Sequence, residues 1–498
     1  MIPDRKQGVV LRIQLAPGGI VAVTDPVHIR VCELLDEGGM RPSDLSSAVG
    51  VASSSLHFIL DKMMENGVIC RHKPDPEKKS VVYRLSSITV LKKTERACTE
   101  SMDEIVSETR GDEHIAWGSL FDAYFEDSGI ESPYLQERYA DFLAEFLTRQ
   151  KGSSGLEDAV FTSKKAVAEL TGYAVNVFSL NPLTIIVDGD WHLPSHIKLV
   201  ASLFSKLVHR LSGSYGSISS VTDIGNGLIN RFKITMSNDD DFEVSCIRPE
   251  HDSENIRFAV VGRGSQTVTI VNDVQMEILE TVYDGPLSVT EIVERSSSPR
   301  STVTSNILKM AEAGILQTIR NDSESASYFL SLPVILKKGS PVSEKGPCHD
   351  ADDPASARSF MDGYFRFVMN ELHALGFDTD MLSEQIGRYY ADRSPEARTE
   401  LDRLASDTGT ELKSVEEDRI VMRQGPGLES AMVRGMARYL VDKETGGRIE
   451  RGSDDLVVER NESYSEDAAR DASTLPRMPA GTRRLPQRPL TTPSWTLP

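Results

Sequence analysis

Cysteine is scarce in this chain and poorly placed for covalent or metal chemistry. Five thiols (Cys32, Cys70, Cys98, Cys246, Cys348) are spread over 498 residues and never form a CxxC pair. That pattern excludes a disulfide framework and a cysteine zinc site as organising features, and makes a reducing cytoplasm the expected compartment. Long apolar runs are missing too. The densest stretch, 183–187, is strand-sized, far short of the ~18 residues of a membrane helix. The opening Met1-Ile2-Pro3-Asp4-Arg5 lacks the apolar core of a signal peptide. Positive charge is in deficit, with 55 Lys and Arg against 75 Asp and Glu, a net charge of −20. Bulk electrostatics therefore oppose nucleic acid, and any DNA contact needs a local surface. Catalytic signatures are equally thin. Gly262-Arg263-Gly264 lacks the GxxxxGK[ST] pattern, Gly425-Pro426-Gly427 reads as a turn, and no Ser-His-Asp or Cys-His spacing stands out. The expectation is a chain that is not an enzyme and uses no cofactor.

What remains is a soluble globular composition, 39% apolar, 26% charged and 6% aromatic, long enough for roughly three domains. Its main feature is a long internal repeat. At an offset of 247 residues and without a gap, Val31 falls on Ile278, Asp44-Leu45 on Glu291-Ile292 and Ser54 on Ser301. Leu56 falls on Val303, Lys62-Met63 on Lys309-Met310, and Gly67-Val68 on Gly314-Ile315. A two-residue shift then matches Tyr83 with Tyr328, and Leu91-Lys92-Lys93 with Leu336-Lys337-Lys338. Fainter echoes follow. Asp122-Ala123-Tyr124-Phe125 resembles Asp362-Gly363-Tyr364-Phe365, Gly129 and Leu135 resemble Gly376 and Leu382, and Thr171-Gly172 resembles Thr408-Gly409. Two units of about 245 residues suggest a fused dimer rather than a solenoid.

Each unit opens alike. In the first, strands are expected over 9–15 and 20–23, then a helix from Asp25-Pro26 with Val27, Val31, Leu34 and Leu35 at helical spacing. A second helix is expected over 43–49 and a third over 53–66, which ends at Gly67. A strand at 68–70, a charged loop at 71–79 and a strand at 80–85 complete three helices and a hairpin with a charged tip. This is the winged form of the helix-turn-helix.

In the second unit the run Pro299-Arg300-Ser301-Thr302-Val303-Thr304-Ser305-Asn306-Ile307-Leu308-Lys309-Met310 continues into Ala311-Glu312-Ala313-Gly314-Ile315. It resembles the recognition helix and exit of the ArsR and MarR families of winged-helix regulators, over about 65 residues per copy. The resemblance implies that the N-terminal outward side chains of this helix face the DNA major groove. In copy two these are Arg300, Ser301, Thr304, Ser305 and Asn306, where Arg suits guanine, Asn adenine, and hydroxyls either phosphate or base edges. The matching positions in copy one are Ser53, Ser54, His57, Phe58 and Ile59. Phe58 and Ile59 depart from the family's polar or basic pattern, but the loop of copy one carries Arg71, His72, Lys73, Lys78 and Lys79, which suits phosphate or minor-groove contact. Copy two's loop, 321–327, is polar and slightly acidic.

The segments after each hairpin read differently. Residues 94–113 hold seven acids against two arginines, a solvated face. Apolar residues at helical spacing fill 115–150, two strands are expected over 173–187, a helix over 195–211, and strands over 228–236 and 242–247. The fold class expected is α+β, an internal duplication of a winged helix-turn-helix followed by a helical and small α/β module. The boundaries are 8–93 and 94–247 for copy one, 256–338 and 354–460 for copy two, and 461–498 for a disordered tail. Within that tail, 476–498 contains six prolines and four arginines without an acid. A turn-and-helix constellation, Asp188, Asp190, His192 and His196, could in principle ligate a metal, although Pro194 reads as a helix start and copy two has no equivalent ligands. Cys70 and His72 form a weaker pair, without the second thiol of metal-sensing ArsR proteins. The expectation is no bound metal.

These features point to a cytoplasmic transcriptional regulator bound to double-stranded DNA as a fused pseudo-dimer. A small-molecule effector and further pairing into a homodimer are left open as partners, and a membrane is not expected. The rival expectation is an acidic tandem winged-helix scaffold that binds protein, similar to the subunits that accompany chromosome-condensing complexes. Net charge and the apolar Phe58 and Ile59 favour it.

Overall fold

The computed structural model describes residues 9–460, except 18, 37, 74–80, 95–116, 150, 190–193, 226–230, 238–257, 262–267, 271, 321–325, 331–333, 338–359, 395, 426–427, 444–446 and 452–454. The chain is a mixed α and β protein with six small sheets among the described residues, and no described helix is long and apolar enough to cross a membrane.

The first run is β1 (Val9–Ala16), β2 (Gly19–Val23), α1 (Pro26–Asp36), α2 (Pro42–Val49), α3 (Ser53–Glu65), β3 (Ile69–His72), β4 (Val82–Leu85) and β5 (Ile88–Thr94). β1 lies antiparallel between β2 and β5, with Ile13 opposite Ala22 on one side and Leu91 on the other. β3 and β4 form a hairpin, Ile69 opposite Leu85 and His72 opposite Val82. Helical spacing turns Val31, Leu35, Leu45, Leu56, Leu60 and Met63 into one core that closes on Val68, Ile69 and Tyr83. Gly67 exits α3 at φ 67°, the left-handed conformation a β-carbon resists.

Next come α4 (Trp117–Asp127), β6 (Ile130–Glu131), α5 (Pro133–Thr148), α6 (Leu156–Thr171), β7 (Ala174–Leu180), β8 (Leu183–Asp188), α7 (Pro194–Ser212), β9 (Ser217–Asp223) and β10 (Arg231–Ser237). The sheet order is β7-β8-β10-β9, with Ile234 opposite Ile185. Two elements differ from the sequence reading. α6 and β9 have no counterpart in it; the strand expected over 228–236 is β10, and the one expected over 242–247 lies outside the described residues. β9 escapes periodicity because it is an edge strand, exposed from Ser219 to Asp223, and has little apolar face to reveal.

The second run is β11 (Phe258–Val261), β12 (Val268–Ile270), α8 (Asp273–Tyr283), β13 (Leu287–Ser288), α9 (Val289–Arg295), α10 (Arg300–Glu312), β14 (Leu316–Arg320), β15 (Ala326–Leu330) and β16 (Val334–Lys337). β11 lies between β12 and β16, as β1 lies between β2 and β5. A reciprocal cap starts α9. The Ser288 amide donates to Glu291 Oε2 (2.8 Å) and the Glu291 amide to Ser288 Oγ (3.3 Å). Then follow α11 (Phe360–Ala374), α12 (Thr379–Arg393), α13 (Ala397–Asp407), β17 (Glu411–Val415), β18 (Arg419–Arg423), α14 (Leu428–Val441), β19 (Arg448–Arg451) and β20 (Leu456–Glu459), in a sheet ordered β17-β18-β20-β19.

One large core joins the two runs. α4 crosses α11, with Phe121 and Tyr364 rings edge to face at 6.2 Å; Tyr124 meets Tyr389 at 5.6 Å and Phe142 stacks on Phe367 at 5.1 Å. Polar bonds cross the same seam. Tyr364 donates to Asp122 Oδ1 (3.1 Å), Tyr124 to Gln385 Oε1 (3.0 Å), and Arg393 pairs with Asp127 (2.9 Å). Gly118 lets α4 touch the Met361 carbonyl, where a β-carbon would clash.

Candidate nucleic-acid interface

α10 splits cleanly into two faces. Val303, Ile307 and Met310 point into the second core, whereas Arg300, Ser301, Thr304, Ser305, Leu308, Lys309 and Glu312 line an open, shallow surface. Arg300, Ser301 and Ser305 are exposed and Thr304 partly buried. Arg300 and Lys309 form no ion pair with any described residue. Asn306 departs from the expected outward set. It is buried, and its Nδ2 donates to the Thr302 carbonyl at 2.9 Å. Its place three residues after Val303 puts it on the inward edge of the helix, which removes it from the outer face.

The turn before α10 is fixed from behind. Glu277 on α8 accepts from Ser296 Oγ (2.8 Å) and from the Ser297 amide (2.6 Å), so the entry to α10 is tied to the first helix of its own bundle. Sequence reasoning passed over Glu277; its position on the partly buried side of an apolar helix was the available signal.

α3 offers a different surface. Ser53, Ser54 and His57 are exposed, Ile59 is partly buried, and Phe58 stands 73% exposed. On the adjoining hairpin Lys73 is exposed, and Lys78 and Lys79 lie outside the described residues. Arg71 is tethered rather than projecting. It pairs with Asp61 on α3 (2.9 Å), and its Nε donates to the Tyr83 hydroxyl (3.1 Å). Of the described cations of the β3–β4 hairpin, Arg71 is therefore already engaged by its neighbours.

The constellation after β8 is divided. Asp188 pairs with Arg231 (2.5 Å) and accepts from Asn176 (3.4 Å), whereas His196 is buried with its Nε2 3.6 Å from Asp122 Oδ2. Asp190 and His192 lie outside the described residues. Among the described residues no group of three His, Cys, Asp or Glu could hold a metal ion. Cys70 and His72 are both exposed on β3, while burial pushes the Cys32 thiol up to about 11. Beside Asp122 a small cavity of about 80 Å³ is lined by Thr94, Ser132, Gln136 and Lys198.

No protein-family model, curated protein or solved structure matches the chain.

Proposed function

We propose that the chain is a sequence-specific DNA-binding transcriptional regulator of the cytoplasm, in which two winged helix-turn-helix copies of the ArsR and MarR kind are fused as a pseudo-dimer. The observation that carries this reading is the outer face of α10, where Arg300, Ser301 and Ser305 stand exposed on a helix held at its entry by Glu277. Such a face suits direct reading of a major-groove edge, with Arg300 at its leading end. The element order shared by the two runs, together with the 247-residue register, supports a duplication. Because α3 presents His57 and Phe58 where α10 presents Thr304 and Ser305, the two half-sites differ and the operator is asymmetric. The modules that follow each head set the spacing and are where an effector would act.

The test is capture of genomic fragments at moderate salt, with Arg300→Ala alongside. Selective enrichment that the variant loses is the expected result, with affinity falling steeply as salt rises. The exposed Phe58 favours a second reading, a protein-binding scaffold. Partner binding that is insensitive to salt and abolished by Phe58→Ser, with no DNA enrichment at low salt, would replace the regulator reading with that one.

A further inference from the structure

Two ionic clusters at matching places in the chain carry opposite balances of charge. On α5, Glu137 accepts from Ser202 and pairs with Lys206 at 3.1 Å, the two standing one turn apart on α7. Asp141, one turn on from Glu137, also pairs with Lys206 at 3.2 Å. On α12, Glu384 accepts from Arg434 Nε (2.5 Å) and from Arg438, one turn apart on α14. Glu384 follows Glu137 by 247 residues, the offset of the repeat, and Arg388 follows Asp141 by the same number. The first cluster thus sets two carboxylates against one ammonium. The second sets one buried carboxylate, Glu384, among three guanidiniums, with the exposed Asp380 acting on Arg434 from the start of α12.

Glu384 is fully committed. Arg434 spends another nitrogen on Gln424 Oε1 (3.1 Å) and Arg438 one on the Tyr283 carbonyl (2.6 Å). Arg388 is partly buried and forms no hydrogen bond or ion pair with any described residue. It sits where α12 and α14 meet backbone to backbone; a β-carbon on Gly435 would lie 3.0 Å from the Arg388 amide nitrogen. Burial first, then the charge of Arg438, hold its guanidinium below the usual range. An excess of like charge in such a place calls for a counter-ion, and a guanidinium fork matches two oxygens of a carboxylate or phosphate.

We propose that Arg388, beside Arg438, receives a small oxyanion bearing a carboxylate or phosphate group, in the role that Asp141 plays for Lys206. Arg388 as a residue is only partly buried, so its surroundings are not sealed from solvent. Arg438 grips the last residue of α8, and the Tyr283 hydroxyl donates to the Met381 carbonyl (3.2 Å). Occupancy therefore stiffens the joint between the second three-helix bundle and α12. The site stands whether or not the chain reads DNA.

The test is calorimetric titration of the full chain with inorganic phosphate and with malonate, against sodium chloride at matched ionic strength. Wild type is expected to give saturable heat with at least one of the two, and the responding anion names the group. Arg388→Gln and Arg388→Asp, each checked for fold by circular dichroism, are expected to weaken binding by about tenfold or more. Arg388→Asp is also expected to melt higher than Arg388→Gln in anion-free buffer, because it rebuilds the internal pair of the first cluster. No saturable heat in wild type, or undiminished affinity in both variants, overturns the site.

Discussion

Neighbouring side chains on α10 have opposite fates, and substitution separates them. Ser305 is exposed; Asn306 is buried and bonds to the Thr302 carbonyl. Asn306→Ala should cost about 1 kcal/mol of stability and leave the preferred DNA sequence unchanged in the fragment-capture assay. Arg300→Ala should do the reverse, keeping the melting temperature while losing roughly 1–3 kcal/mol of discrimination. Glu384 carries a prediction in pH. Burial alone would raise its pKa, but Arg438 and Arg434 outweigh burial and hold it below the usual carboxylate value. A carboxylate depressed on folding stabilises above its unfolded pKa of about 4.3, and that contribution fades as pH falls through the folded value. Glu384→Gln should therefore melt well below wild type at pH 7, since it leaves two buried guanidiniums short of a carboxylate, a loss of about 3–5 kcal/mol. The gap should narrow as pH is lowered beneath about 4. Parallel melting curves from pH 6 to pH 3 would show that Glu384 is not the group responsible.

Helix packing sets the next scale. α12 and α14 approach so closely that a β-carbon on Gly387 would clash with the Met432 carbonyl, and one on Gly435 with the Glu384 carbonyl. Neither obstacle is a flexible side-chain end, so Gly387→Ala or Gly435→Ala should destabilise by about 3 kcal/mol or more, read by thermal or urea unfolding. The sequence made some of this scale legible and hid the rest. α1, α2 and α3 follow from apolar spacing and from glycine exits, because each buries one stripe against one core. β9 stayed hidden because Ser219, Ser220 and Thr222 face solvent at a sheet edge. The outer face of α10 was readable from its polar run, yet the inward turn of Asn306 and the tether of Arg71 to Asp61 depend on neighbours distant from the motif. Arg434 and Arg438 look like solvated residues of an amphipathic helix until α12 is laid across them.

At the scale of the whole molecule, the two runs share one large core, beside a smaller core within each three-helix bundle. The described residues form a single compact unit, with Phe121, Tyr124 and Tyr139 of the first run packed on Tyr364, Phe367 and Tyr389 of the second. Scanning calorimetry of the full chain should show one cooperative transition, and a fragment ending before residue 250 should lack it, because that aromatic surface would be left open to water. Two resolved transitions would mean that the halves fold independently. The seam has a genetic corollary under the regulator reading. In a regulator assembled from separate identical subunits, a defective allele can poison mixed assemblies with the normal product. Here both halves of the seam are inherited on one polypeptide, so a lesion in either stays with the molecule that carries it, and loss-of-function alleles should behave as recessive.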